Sequence, residues 1–331
     1  MDVSSPERSS SPRRVMLLGA TGTIGRATAR ALVRHGHEVV CFVRDGRSRE
    51  ATPIAGVQMR QGDVTNPASI AGDGFCGERF DALVSCMASR TGVPRDAWKI
   101  DYQAHVDALA AARAAGVSQM VLLSAICVQK PLLAFQQAKL AFEQHLIESG
   151  VTWSIVRPTA FFKSLSGQIA RVQAGKPFLL LGDGALTACK PISDEDLALY
   201  LAQCLDDPAR QGRILPIGGP GPAITPRQQG EKLFELLGQK PKFKRAPVAL
   251  LDAIVFALDA LGRVSTNARD KAELARIGRY YATESMLLLN PATGFYDADA
   301  TPSFGSDTLF DHYARVIAGK ASVELGDHSV F

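Results

Sequence analysis

The stretch VMLLGATGTIGR, Val15 to Arg26, sets four apolar residues directly before three spaced glycines and a helix-forming run that begins near Thr23. A short apolar run closed by glycine reads as a buried strand. Gly19, Gly22 and Gly25 let the chain turn tightly and let its backbone approach a ligand. The helix that follows presents free N–H groups and the positive end of its dipole, which suits a pyrophosphate. The order strand, glycine turn, helix therefore predicts a dinucleotide site made of Gly19, Thr21, Gly22, Thr23, Ile24, Gly25 and Arg26.

The same alternation continues outward from this stretch. EVVCFV (38–43), VQMRQ (57–61), DALVSC (81–86), MVLLS (120–124) and TWSIV (152–156) read as further strands. Helical patterns separate them, notably 96–115 closed by Gly116 and 131–149 closed by Gly150, each with glycine where a helix ends. Strands alternating with helices predict an α/β, doubly wound (Rossmann) parallel sheet. After Pro158 the alternation loosens, and RILPIG (213–218) is the one clear later strand. The expected organisation is a Ser/Pro-rich disordered leader over 1–13, a nucleotide-binding core over 14–158, and a final sheet edge with a smaller, mostly helical cap over 159–331.

Bulk properties narrow the function classes. The 331 residues are 46% hydrophobic and 21% charged, which is ordinary globular composition. A net charge of +4, without a basic stripe interleaved with aromatics, predicts no nucleic-acid partner. The leader MDVSSPERSSSP carries no apolar run and is short for a transit peptide, which favours a cytoplasmic location. Six cysteines lack CxxC spacing and mostly fall in apolar runs, so they read as reduced, buried thiols and no metal site is expected. The most apolar segment, VALLDAIVFALDALG (248–262), carries Asp252 and Asp259 seven apart, hence on one helical face. It reads as an amphipathic helix packed on the core; a peripheral membrane contact or a large apolar ligand is the other option.

Cofactor preference is written at the end of the second strand, VCFVRDGR. Arg44 stands where an acidic residue would bind ribose hydroxyls, and a guanidinium there suits a 2′-phosphate, with Arg26 beneath it. NADPH is thus the expected cofactor, with Asp45 on ribose as the rival arrangement. Asp63, just after the third strand, is placed near the adenine or in a plain turn.

GATGTIGR, GDV (62–64), DYQAHVDALAAARAAGVSQMVLLSA (101–125) and SIVRPTAFF (154–162) together resemble the atypical extended short-chain dehydrogenase/reductases, in their NmrA-like and isoflavone-reductase-like branches. The resemblance covers about residues 15–215. It implies a catalytic Ser near the end of the fifth strand and a Tyr-x-x-x-Lys on the next helix; Ser124 and Lys139 match those places, and Phe135 replaces the tyrosine. Without the phenol, proton exchange with an alcohol or carbonyl oxygen loses its usual donor. Lys139 can still hold the nicotinamide ribose, and its ammonium can supply a proton, so hydride delivery to a C=C bond fits better.

A tighter resemblance, to the divinyl chlorophyllide a 8-vinyl reductases, rests on LLSAICVQKPLLAFQQAKLAFE (122–143), GDGALTACKPISDEDLA (182–198) and the long YYATESMLLLNPATGFYDADATPSFGSDTLFDHYARVIAG (280–319). It implies NADPH-dependent reduction of the 8-vinyl group of a magnesium tetrapyrrole, divinyl chlorophyllide a or divinyl protochlorophyllide a, at or near a photosynthetic membrane. Phe135 could border the flat ring or simply pack in the core. Phe161 and Phe162 are expected on the chain's exit toward the ligand, with Lys163 and Lys190 (and Lys130) as partners for a propionate. Two rival functions remain open: a reductase of a smaller conjugated substrate, and a non-catalytic NADP(H) sensor or assembly factor. Nothing in the sequence sets an oligomeric state.

Overall fold

The computed structural model describes residues 11–44, 54–263 and 265–321. Most of the expected leader, residues 1–10, and Asp45 lie outside the described residues. The strands are β1 (Arg14–Leu18), β2 (Glu38–Val43), β3 (Val57–Gln61), β4 (Ala82–Ser85), β5 (Gln119–Leu123), β6 (Thr152–Pro158), β7 (Phe178–Leu181), β8 (Arg213–Ile217), β9 (Phe243–Ala246), β10 (Leu288–Leu289) and β11 (Tyr296–Asp297). Seven of them form one parallel sheet in the order β3-β2-β1-β4-β5-β6-β8. The order reverses between β1 and β4, and crevices for ligands open at such reversal points beyond the strands' C-terminal ends.

The helices are α1 (Thr23–Arg34), α2 (Pro67–Ser69), α3 (Pro94–Ala97), α4 (Ala104–Ala114), α5 (Ala134–Glu148), α6 (Phe162–Leu165), α7 (Ile169–Gln173), α8 (Asp194–Asp206), α9 (Pro226–Leu236), α10 (Val248–Gly262), α11 (Thr266–Thr283) and α12 (Leu309–Ile317). The helical run expected over 96–115 is interrupted by a wider π-type turn at Trp98–Gln103 between α3 and α4.

Burial follows the two-residue period of a strand. Val15 and Leu17 point to the face covered by α1 and α8, while Met16 and Leu18 point to the face covered by α4 and α5. Central strands β4 and β5 are buried throughout, as a sheet clothed on both faces requires, whereas edge strand β3 exposes three of its five residues. A third cluster, with Ile126, Phe162, Phe178, Phe234, Tyr280 and Tyr313, lies under the cap. The C-terminal segment folds back onto α8. Asp196 accepts from the backbone N–H of Ser306 and Asp307 at 3.2 and 3.0 Å, and a Cβ on Gly305 would come within 2.1 Å of the Asp196 carboxyl carbon.

Two expectations are corrected. The segment expected to pack on the core, α10, makes its extensive contact with α11: among its residues only Gly262 is buried, and Asp252 and Asp259 are held by Arg279 and Arg276 of α11. Cys76 is exposed, at φ +54°, because it closes a helical turn rather than a strand. Among the described residues no helix is long and apolar enough to cross a membrane.

Candidate functional site

The glycine turn after β1 is shaped by contacts that exclude side chains. Gly19 adopts φ +80°, and a Cβ there would lie 2.6 Å from the carbonyl carbon and oxygen of Cys86, just past β4. A Cβ on Gly25 would lie 2.1 Å from the Gly19 oxygen. Gly22 differs, being exposed, with no atom closer than 3.6 Å to an added Cβ. Its N–H donates to the Gly19 carbonyl at 3.1 Å, and it begins α1 without any side-chain cap. Two glycines thus hold the turn against β4, and the third leaves space in front of uncapped N–H groups. That cradle at the β1–β4 reversal fits a dinucleotide pyrophosphate. Thr21 sits half-buried in the turn, and Thr23 and Ile24 open α1.

Arg26, in the first turns of α1, lines a cleft with Arg30, Arg34 and Ile54. Arg44 is exposed at the end of β2. Its charge reaches Asp63, whose carboxyl is held below the usual range first by the Thr65 N–H, then by the Thr65 hydroxyl, both at 2.8 Å, and further by Lys99 and Arg44. Asp63 is therefore engaged as a turn aspartate, one of its two expected placements.

Lys139 lies on α5 with its ammonium 3.0 Å from Asp101 Oδ1; the Asp101 side chain is fully buried. The same oxygen accepts from the Ser89 N–H at 3.1 Å, while Oδ2 is buried without a partner among the described residues. Ser89 belongs to the loop after β4 that abuts Gly19, so this chain of contacts sets Lys139 at the crevice beside the cradle. Neighbouring His105 is clamped between Ser85 Oγ and the Ile100 carbonyl, each at 2.8 Å. Burial, then the nearby Lys139 charge, pushes its pKa down to about 4, so it is neutral near pH 7.

Ser124 is buried, and its hydroxyl donates to Glu143, which also pairs with Arg157. Phe135, one turn before Lys139, is 9% exposed and belongs to the cluster under the cap. A Cβ on Gly92 would meet Ile277 of α11 at 3.0 Å and Phe135 at 3.5 Å, so the ring is packed beside both.

The remaining substrate candidates divide. Lys163 lies close enough to Asp194 to pull down a carboxyl whose pKa burial raises, and the Thr23 hydroxyl of the cradle bonds to the same carboxyl. Lys163 is thereby near the cofactor side. Lys190 donates to the Thr301 carbonyl at 3.0 Å, and Lys130 pairs with Glu284 at 2.7 Å, so both tie down the C-terminal segment. Phe161 leans on the sheet cluster containing Val156 and Ile192, and Phe162 is buried against His312.

Sequence reasoning missed three residues. Asp101 was visible in principle, because it shares a helical stripe with buried Ala104, Ala108 and Ala112. Asp194 keeps one carboxyl oxygen buried and unpartnered among the described residues. Tyr281 of α11 brings its hydroxyl 3.9 Å from Cys127 Sγ beyond β5, and burial of that end holds the phenol above its ordinary pKa although the ring edge is exposed. No signal in the sequence ties the last two to the site.

Comparison with known proteins adds the following. A protein family described as NAD(P)H-binding matches residues 19–208. The chloroplastic divinyl chlorophyllide a 8-vinyl-reductase of Oryza sativa subsp. indica is 48% identical, over 98% of this chain and 84% of that protein. The photosystem II assembly factor Ycf39 of Guillardia theta is 24% identical, over 92% of this chain and 95% of that one. Among solved structures, an NADPH-dependent quinone oxidoreductase of Escherichia coli in complex with NADPH superposes with a TM-score of 0.66 at 18% identity, over 92% of this chain and 99% of that one. This last likeness speaks to the fold.

Proposed function

The chain belongs to the divinyl chlorophyllide a 8-vinyl-reductase family, a group of NAD(P)H-binding α/β proteins, and from that membership we propose that it reduces the 8-vinyl group of divinyl chlorophyllide a to ethyl. It is an oxidoreductase and uses NADPH. Divinyl protochlorophyllide a is the second acceptor we assign. The observation that carries the reading is 48% identity to such a reductase along nearly the whole chain, joined to a glycine cradle intact at every contact described above. Likeness to the assembly factors is half as great, which makes the non-catalytic reading the weaker one.

NADPH supplies the hydride, which the terminal carbon of the vinyl group accepts because the charge left behind spreads over the macrocycle. The chain's own groups divide the rest of the work. The N–H groups that open α1, just after Gly22, bind pyrophosphate, and Arg44 with Arg26 binds the 2′-phosphate. Lys139, positioned by Asp101, returns a proton to the inner carbon. Ser124, held by Glu143, fixes the end of β5 behind it. Phe135 forms an apolar wall, and Phe161 and Phe162 set the path of the chain past the pocket. Lys163 is the pocket-side cation for a propionate; Lys190 supports it by anchoring the C-terminal segment. We place the protein in the cytoplasm, at the margin of the photosynthetic membrane.

Purified protein mixed with NADPH and divinyl chlorophyllide a should oxidise one NADPH per vinyl group and give a product two mass units heavier. Folded, cofactor-bound protein that leaves the pigment unchanged would overturn the assignment.

A further inference from the structure

Helix α10 presents an apolar face that the other described residues leave uncovered. Val248, Leu251, Val255 and Leu258 turn toward α11 and are half-buried, as their spacing of three to four residues requires. Leu250, Ile254, Ala257 and Leu261 share the opposite stripe, with Ala249, Ala253, Phe256 and Ala260 beside it, and all eight are exposed. Phe256 is the extreme, at 78%. The two acids of the helix, Asp252 and Asp259, lie on the other side in ion pairs with α11, so the outward arc carries no charge. Monomeric proteins rarely leave so continuous an apolar surface open, and such patches mark interaction sites.

The exposed charges that flank α10 along the chain are cationic. Lys240, Lys242, Lys244 and Arg245, all exposed, run directly into the start of α10, and exposed Arg263 follows its end. An apolar stripe flanked by cations at both ends matches the acyl and phosphate layers of an anionic lipid leaflet. Fifteen residues of helix span about 22 Å, too short for a hydrocarbon core of roughly 30 Å, so the helix can lie in the interface but not cross it. Its inner neighbour α11 carries Tyr281, which reaches Cys127 beyond β5. A docked α10 would therefore bring the α11 wall of the site toward the lipid surface.

We propose that α10 is an interfacial anchor that docks the protein on anionic lipid bilayers. The proposal stands apart from the reductase reading, since vesicle binding is measured without pigment or cofactor. The full chain should co-sediment with phosphatidylcholine vesicles containing phosphatidylglycerol, and about tenfold more weakly with phosphatidylcholine alone or in about 0.5 M salt. Phe256→Asp should weaken binding about tenfold while leaving the melting temperature unchanged, because that side chain touches little in the folded protein. Combined Lys242→Glu, Lys244→Glu and Arg245→Glu should erase the preference for anionic vesicles. Failure to bind such vesicles, undiminished binding by Phe256→Asp, or a solution dimer that Phe256→Asp splits would each overturn the proposal, the last by assigning the face to a second copy.

Discussion

The cradle makes a paired prediction in which two glycines only three residues apart fail in opposite ways. At Gly25 an added Cβ would sit 2.1 Å from the Gly19 oxygen, 2.7 Å from its carbonyl carbon and 3.0 Å from Ala20 Cα, all backbone. No rotamer change relieves contacts with main chain, so the turn itself must move. Overpacking costs about 1–3 kcal/mol where side chains can shift, so Gly25→Ala belongs at or beyond the upper end of that range. At Gly22 the nearest atom is 3.6 Å away and φ is −77°, ordinary for alanine. Gly22→Ala loses about 0.5–1 kcal/mol as a helix cap and recovers about 0.4–1 kcal/mol from the stiffer unfolded chain, so its stability should match wild type. On the proposed placement of the cofactor, however, its methyl group stands where the phosphate would lie. Losing one charge-assisted bond at about 1.5–3 kcal/mol weakens NADPH binding roughly ten- to a hundred-and-fiftyfold. Urea denaturation followed by circular dichroism measures the first effect, and fluorescence titration with NADPH the second. Wild-type NADPH affinity in Gly22→Ala, or wild-type stability in Gly25→Ala, would refute the placement of the cofactor or the packing of the turn.

Three further outcomes are expected. Lys139→Ala should lower turnover about 10²–10⁴-fold and also destabilise by about 3–5 kcal/mol, because Asp101 is left buried and unpaired. The double variant Lys139→Met with Asp101→Asn should regain stability without turnover; regained turnover would move the proton to another donor such as Tyr281. Arg44→Ala should weaken NADPH binding by about 1.5–3 kcal/mol, roughly ten- to a hundredfold, while barely changing NADH binding, as steady-state kinetics with both nucleotides would read. His105, with a folded pKa of about 4 against an ordinary 6.5, binds its proton more weakly in the folded state. Its contribution is complete above pH 6.5 and is lost as pH falls toward 4, at 1.36 kcal/mol per pH unit, about 3 kcal/mol in all. Chemical denaturation across that window should show the loss in wild type and a flatter profile in His105→Phe; parallel profiles would contradict it.

What the sequence disclosed, and what it withheld, follows from the range of each interaction. The turn from Gly19 to Gly25 was legible because it demands backbone space within seven residues, and the strands because burial on both faces leaves unbroken apolar runs such as VVCFV and VMLL. The RILPIG strand was legible as an apolar run bounded by glycines, although only Ile217 of β8 is buried and its place at the edge beside β6 is a matter of topology. Asp101 was not read as the partner of Lys139, since that pairing depends on how the turn at Trp98–Gln103 meets α5 in space. Helix α10 was misread because periodicity reveals that a helix has a charged face without saying which face the protein covers. Charged faces usually meet water, but here Asp252 and Asp259 turn to arginines of α11 and the apolar arc turns out.

The consequence of Phe135 reaches beyond a missing donor. Reduction of a carbonyl places negative charge on one oxygen, and a proton must be within hydrogen-bond reach as the hydride arrives. With Phe135 packed against Gly92 and Ile277, the pocket has no hydroxyl at that position to meet such an oxygen. Reduction of a vinyl group on a conjugated macrocycle distributes the charge over many atoms, so protonation can follow hydride transfer and tolerates a less exactingly placed donor. In the mechanism proposed above, the Lys139 ammonium on α5, steadied by buried Asp101, is the group that meets that lower demand. A phenylalanine that disables one reaction class is therefore compatible with the other, and substitution by tyrosine at position 135 would not be expected to accelerate vinyl reduction.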